Sequence, residues 1–379
     1  MMRWGALTVA LILAATAITG CWDQQEIEER TSVVALALDK AKEGKNLIRV
    51  SVQIPIPKKI AGGGATGGGQ AGKEAVKLMS ATGFTVTEAS RNLQKRLNQE
   101  LFFGHTRVVA VSEELAREGI DVYIDSLRRT PQIRRLLWPV IVKGEAMKLL
   151  ESNLELEQIP IMYVMDLMNN FAQKGMIPDI SLGTFFIQMS ESGREPAMNI
   201  IQPAKDDVKW TGVAVFEGSK MVGELTPEEV WVLLNIREQK IGGPIAAYCD
   251  QAKKKRVVFR PKTVKTKRAF SFEDEKAIVK VNVRLEGDIV ESQCNLDFSK
   301  QKNIRKVDNQ LKRELEKRAN QLFDRLQKDF KQDLFGFGID IRARYPKKWD
   351  AKKWEKDFMK AEMRIDYDVL TRRTGMETR

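Results

Sequence analysis

Apolar positions divide the chain into an opening run and a long patterned remainder. The opening run extends from Trp4 to Ile18, follows Met1-Met2-Arg3 and leads into Thr19-Gly20-Cys21. A basic start, an apolar core and small residues at its end make a secretory signal; a bilayer-spanning helix needs roughly 20 apolar residues. Ile18-Thr19-Gly20-Cys21 has the form of a bacterial lipobox, in which small side chains enter a peptidase groove and the cysteine thiol is alkylated. Residues 1–20 are therefore expected to be a signal peptide and Cys21 a lipidation site.

Past Cys21 the pattern alternates between period two and helical spacing. Residues 33–38 read as a buried strand. Ile48, Val50, Val52 and Ile54 alternate with Arg49, Ser51 and Gln53 as a half-buried strand, and the two strands form a hairpin stopped by Pro55 and Pro57. Residues 60–72 are glycine-rich and read as a flexible loop. Val86, Ala89, Leu93 and Leu97 fall on one helical face. Residues 107–111 form a strand, with Ser112 the cap of a helix over 113–117. A helix is expected over 122–129, and a strand over 136–142 at a sheet edge because of Pro139. Short helices cover 145–151, 160–172 and 181–190. The sum is an N-terminal α+β domain over 21–198.

A small middle domain is expected over 199–254. Strands 209–216 and 221–225 meet at Glu217-Gly218-Ser219-Lys220. Thr226-Pro227-Glu228-Glu229 then starts a helix with a capping box and a proline in its first turn; Val230, Trp231 and Leu234 pack it on the hairpin. The C-terminal α+β domain covers 255–379. Val279, Val281, Val283 and Leu285 mark a half-buried strand. Ile304, Val307, Leu311, Leu315, Leu322, Leu326 and Phe330 mark a long amphipathic helix over 302–331. Residues 337–344 and 363–370 read as strands, with a helix over 349–359 between them. The fold class is α+β: three dissimilar mixed domains after a lipoprotein signal peptide.

Charge adds a polarity to this layout. Residues 251–379 hold 35 Lys and Arg against 21 Asp and Glu, whereas residues 22–250 hold 27 against 30, within a whole-chain net charge of +12. A basic C-terminal domain on an anchored protein favours anionic lipid headgroups or an acidic partner; nucleic acid is not expected outside the cell. Cys249 and Cys294 could pair if their Cα atoms lie within about 7 Å, but they show no disulfide framework, and two buried free thiols are expected.

Few residues offer catalytic chemistry. His105 is the single histidine, which excludes a histidine metal cluster and leaves a triad without its serine elbow. Gly67-Gly68-Gly69-Gln70-Ala71-Gly72-Lys73 has P-loop spacing, but Glu74 stands where a magnesium-binding hydroxyl belongs. No spacing singles out a carboxylate pair. The expectation is no enzyme, no catalytic residue, no metal and no cofactor.

Several segments together resemble the Ger(x)C lipoproteins, the C subunits of nutrient germinant receptors in spore-forming bacteria. They are Cys21-Trp22-Asp23 with Glu26-Ile27; Gly104-His105-Thr106 before Val108; Gly212-Val213-Ala214-Val215-Phe216 with Leu225-Thr226; and Asp333-Leu334-Phe335-Gly336-Phe337-Gly338 with Pro346 and Trp349. Ala35-Leu36-Ala37-Leu38-Asp39 lacks an expected glycine, and residues 60–72 look like an insertion. The resemblance implies three α+β domains on a lipid tether at Cys21. It also implies assembly with integral-membrane A and B subunits at the inner spore membrane, and a non-catalytic role in triggering germination. A solute-binding lipoprotein serving a transporter is the alternative, although that class has two similar lobes; a cell-wall enzyme would need a cleft with facing carboxylates.

Overall fold

The computed structural model describes residues 30–44, 46–62, 75–154, 156–250, 254–273 and 276–374, with Gly5 alone before them. Cys21, the rest of the expected signal peptide and Gly67–Glu74 lie outside the described residues, as does most of the glycine-rich loop.

The N-terminal half runs β1 (Arg30–Ser32), β2 (Ala35–Lys40), β3 (Ile48–Pro55), α1 (Pro57–Gly62), β4 (Val76–Gly83), α2 (Val86–Gln94), β5 (Glu100–Phe102), β6 (Val108–Ser112), α3 (Glu113–Glu118), α4 (Asp121–Arg129), β7 (Trp138–Val142), α5 (Met147–Glu151), α6 (Pro160–Gln173) and α7 (Leu182–Ser190). It continues through β8 (Ala197–Pro203), β9 (Val208–Glu217), β10 (Lys220–Leu225) and α8 (Pro227–Glu238). The C-terminal half has β11 (Ile245–Asp250), β12 (Lys255–Glu273), β13 (Lys276–Ser292), α9 (Gln301–Arg325), α10 (Phe337–Arg344), α11 (Ala351–Phe358) and β14 (Glu362–Arg373). A π-helical turn, Leu326–Phe330, extends α9. The fold is α+β, as its mixture of helices and sheets requires. Among the described residues no helix is long and apolar enough to cross a membrane.

The large sheet has eight strands in the order β10-β9-β8-β7-β6-β2-β3-β4, with parallel pairing at its centre and antiparallel hairpins at both ends. Its strands are covered on both faces, so alternate residues enter different cores. Leu36, Leu38, Val109, Val111 and Ile141 belong to one apolar cluster. Ala35, Ala37, Val108, Ala110, Val140 and Val142 join the other, under α5 and α6. Two-sided burial is why these strands read as continuous apolar runs.

It also changes β3. Its polar face, expected to be solvated, is buried: Ser51 and Gln53 are 1% and 0% exposed. Gln53 Nε2 donates to the Leu150 carbonyl at 3.1 Å and the Ser51 and Ser80 hydroxyls lie 2.8 Å apart, which offsets part of the cost of burying them, the Gln53 Oε1 finding no partner among the described residues. Asp39 serves the same α5 interface, its carboxylate accepting from the amides of Ala146 and Met147 at 2.6 and 2.9 Å.

Pro139 does not mark an edge. β7 lies between β6 and β8, but β8 pairs only with Val140–Val142. The proline therefore sits beyond that ladder, where its missing N–H costs nothing.

The elements expected in one middle domain are divided between two sheets. The β9–β10 hairpin completes the eight-stranded sheet, while β11 opens the four-stranded sheet β11-β12-β13-β14. Between them α8 is buried on nearly every side from Val230 to Ile236. A helix apolar all round belongs inside a core. Its start follows the sequence: Thr226 Oγ1 accepts from the Glu229 amide and Glu229 Oε2 accepts from the Thr226 amide.

In the C-terminal half, the apolar stripe of α9 packs against the sheet, with Val307, Leu311, Leu315 and Leu322 fully buried. Residues 337–344, expected as a strand, form helix α10 instead. Phe337, Ile339, Ile341 and Ala343 do alternate, yet Phe337, Gly338 and Ile341 are the buried positions, a helical spacing. Gly336, at φ 71°, turns the chain into that helix.

Cys249 and Cys294 are not free thiols: they form a disulfide, with Cα atoms 6.3 Å apart. Their separation of 45 residues hid the pairing, because the β12–β13 hairpin folds the chain back and returns the second cysteine to the first. A bridge of this kind suits an oxidising compartment.

Candidate functional site at the Asp333 junction

The chemistry-bearing groups that the fold brings together lie where the two halves meet. The chain from the end of α9 into the first turn of α10, residues 331–338, is almost wholly buried from Gln332 to Gly338. Asp333 is 5% exposed, and its carboxylate binds three donors: the Gly336 amide at 2.9 Å, the Gly338 amide at 2.9 Å and Trp354 Nε1 at 3.0 Å. Burial outweighs these donors and raises its pKa to about 6. The glycines are required by close approach. A Cβ on Gly338 would come within 2.5 Å of Trp354 Nε1 and 2.7 Å of Gly193 Cα. Gly193, at φ 99°, belongs to the N-terminal half, so two glycines let the halves touch backbone to backbone.

Around this contact the halves are cross-linked by polar groups. The Glu195 amide donates to the Asp333 carbonyl at 3.3 Å. Arg342 pairs with Glu191 at 2.8 Å, and Arg237 donates to the Leu334 carbonyl at 3.2 Å. Within the C-terminal half, Arg268 on β12 braces the same segment, reaching both the Phe335 carbonyl at 3.1 Å and Asp340 at 3.0 Å. Phe335 and Phe337 stack with ring centroids 5.0 Å apart beneath these contacts.

Beside Asp333 opens a cleft of about 430 Å³ lined by Gln188, Glu191, Glu195, Glu217, Glu355 and Lys356, among others. Burial raises the Glu195 carboxyl to about 7, helped by the charges of Asp333, Glu355 and Glu217. A carboxyl whose folded pKa exceeds its unfolded value contributes stability that is complete below about pH 4 and lost as pH rises through 7. Glu195→Gln should therefore raise the unfolding free energy by about 2 kcal/mol at pH 8 and leave it unchanged at pH 4. Denaturant titrations of both chains at the two pH values measure this; an equal difference at both would show that Glu195 does not titrate between them.

The residues singled out from sequence are placed elsewhere. His105 Nδ1 lies 3.0 Å from Ser32 Oγ, and its ring meets Phe102 edge-on at 5.3 Å, which ties β1 to the turn before β6. Among the described residues no group of three or more His, Cys, Asp or Glu side chains is placed to hold a metal ion. Asp333 appeared only as part of a family signature and Glu195 not at all. The legible signal was the spacing Asp333-x-x-Gly336-x-Gly338, an acceptor followed by two residues able to point their amides back at it.

Family models match both halves. One, described as spore germination protein N-terminal domain, covers residues 23–203. The other, spore germination B3/GerAC like, C-terminal, covers residues 211–375 and includes the Asp333 signature. The chain belongs to the Ger(x)C family of spore germination proteins. Relatives of this family member include spore germination protein YndF of Bacillus subtilis (strain 168), 27% identical over 97% of this chain and 96% of that one. Spore germination protein KC of the same organism is 26% identical over 99% and 97%. Spore germination protein GerQC of Bacillus cereus is 22% identical over 99% of each. The crystal structure of the GerBC protein has the same fold, with a TM-score of 0.60 and 18% identity over 89% of this chain and 96% of that one.

Proposed function

We propose that this chain is the C subunit of a nutrient germinant receptor, a non-catalytic ectodomain that couples integral-membrane A and B subunits to the surface of the inner spore membrane. The observation that carries this reading is the family match along both halves, with relatives named as spore germination proteins aligned over nearly their full lengths. The lipobox residues Ile18-Thr19-Gly20-Cys21 supply the anchor in this reading. Diacylglyceryl modification of Cys21 places two acyl chains in the outer face of the membrane, each buried methylene contributing about 0.8 kcal/mol. The two halves, joined through α8 and the Asp333 contacts, then move as one body on that tether, as a coupling subunit requires.

Cys21→Ala should abolish incorporation of labelled fatty acid and release the chain from the membrane fraction. In spores lacking paralogous receptors, the same substitution should strongly slow the response to nutrients. Labelling and germination both equal to those of the natural chain would overturn the reading.

A further inference from the structure

Continuous description starts at Arg30, and β1 docks beside β5 rather than in a main sheet. The Arg30 guanidinium lies over the Phe102 ring at 4.7 Å. The next residue, Phe103, donates its amide to Gln132 Oε1 at 3.0 Å. Gln132 belongs to the loop between α4 and β7, so the corner where the tether enters the fold touches that loop directly.

The loop carries an unusual surface. Arg134, Arg135 and Leu136 are successive exposed residues, and Leu136 is 86% exposed. The Gly183 amide donates to the Arg135 carbonyl at 2.8 Å, which fixes the loop against the first turn of α7. One turn further along α7, Ile187 is 60% exposed on the same helix face as Gly183. Arg128, on α4, and Arg135 both hold their guanidiniums over the Phe186 ring, at 4.8 and 4.7 Å. Phe186 thus holds two cations on the surface. Neither Arg128, Arg134 nor Arg135 makes an ion pair with a described residue, whereas the neighbouring Arg129 is paired with Asp125.

We infer that this face, Arg128, Arg134 and Arg135 around Leu136 and Ile187, docks on an anionic lipid surface beside the anchor. The inference rests on the lipid-tether reading of Cys21. Guanidiniums bind phosphate oxygens in a planar fork, and apolar side chains among them enter the boundary between headgroups and acyl chains. Arg30 follows Cys21 by nine positions, a reach of at most about 30 Å even when fully extended. The corner that meets the tether is therefore among the surfaces held near the bilayer. Net charge points instead to the C-terminal domain, but several cations of α9 and its sheet are ion-paired, including Lys312 with Asp366, Arg318 with Glu314 and Lys328 with Asp324. The arginine face combines cations without a carboxylate partner among the described residues, Arg135 donating only to the Arg128 carbonyl at 3.2 Å, with exposed aliphatic groups and the tether's entry.

The test uses the chain from residue 21 with Cys21→Ser, which keeps every strand and helix described above and lacks the lipid. It is sedimented with vesicles of phosphatidylcholine alone or mixed with phosphatidylglycerol, at low and high salt. Binding is expected only to the mixed vesicles and to weaken with salt. Arg134→Glu with Arg135→Glu should lower the partition coefficient at least about tenfold. Leu136→Ser alone should lower it roughly threefold. Lys306→Glu with Lys317→Glu on α9 should leave it within about twofold, and far-ultraviolet circular dichroism confirms that each variant folds. Equal losses from the two charge reversals, loss only from the α9 pair, binding without anionic lipid, or no binding by the unsubstituted chain would each overturn the inference. So would capture only by vesicles that carry multi-span protein subunits, which would assign the face to a protein partner. Fatty-acid labelling of Cys21 in the lipidated chain is a separate readout, so failure here does not count against the anchor.

Discussion

Asp333→Ala is expected to lower the unfolding free energy by about 3 kcal/mol or more. The substitution leaves the amides of Gly336 and Gly338 and the indole N–H of Trp354 without their acceptor in a buried site. Each buried donor without a partner costs about 1–3 kcal/mol, and the cost of keeping a carboxylate out of water is recovered in part. Asp333→Asn should lose roughly half as much. Its amide oxygen still serves Gly338 and Trp354, while its NH₂ group faces the Gly336 N–H. Urea unfolding followed by tryptophan fluorescence reports both variants. Asp366→Ala is the control, because its ion pair with Lys312 is exposed and worth under about 1 kcal/mol. If Asp333→Ala unfolded with the midpoint of the natural chain, the junction would not depend on this carboxylate. The junction links Gly193, Glu195 and Arg342 across the halves, so the same variant should become more sensitive to proteolysis between them.

The second large effect belongs to the disulfide. Removing both thiols with Cys249→Ser and Cys294→Ser should lower stability by about 2–4 kcal/mol, the range expected when a bridge closing a loop of this length is lost. Part of the effect is local. The bridge holds edge strand β11 beside α9, where Gln310 Nε2 donates to the Cys249 carbonyl at 3.0 Å and Arg318 donates to the Ala246 carbonyl at 3.2 Å. Unfolding curves with and without reductant give the same comparison in the natural chain. Coincident curves would show that the thiols are not bridged when the protein is isolated.

Local signals in the sequence carried most elements. Ser112 and Thr226 announce their helices because a short hydroxyl side chain satisfies amides that the first helical turn leaves open. The stripe from Val307 to Leu326 announces α9 because one face of a helix repeats every three to four residues. Met363, Tyr367 and Val369 announce β14 in the same way, at period two. The errors share a cause. Ser51 and Gln53 looked solvated because nothing local reveals that α5 covers them. Pro139 looked like an edge because nothing local shows how far β8 extends. Residues 337–344 alternate like a strand, yet the turn at Gly336 and the contacts of Gly338 with Trp354 and Gly193 make them a helix. The site was legible only in part: the Asp333 signature was visible, but its partner Glu195 lies far away in sequence and carries no pattern of its own.

What the sequence determined by itself was the α+β class, the caps and the amphipathic stripes, all set by interactions within a few residues. What only the tertiary structure decided was which distant segments share an environment. It paired Cys249 with Cys294, split residues 199–254 between two sheets, raised the carboxyls of Asp333 and Glu195 by burying them together, and set Arg134 and Arg135 beside the exposed Leu136. Those outcomes depend on desolvation and contact between residues far apart in the chain, which no local pattern encodes.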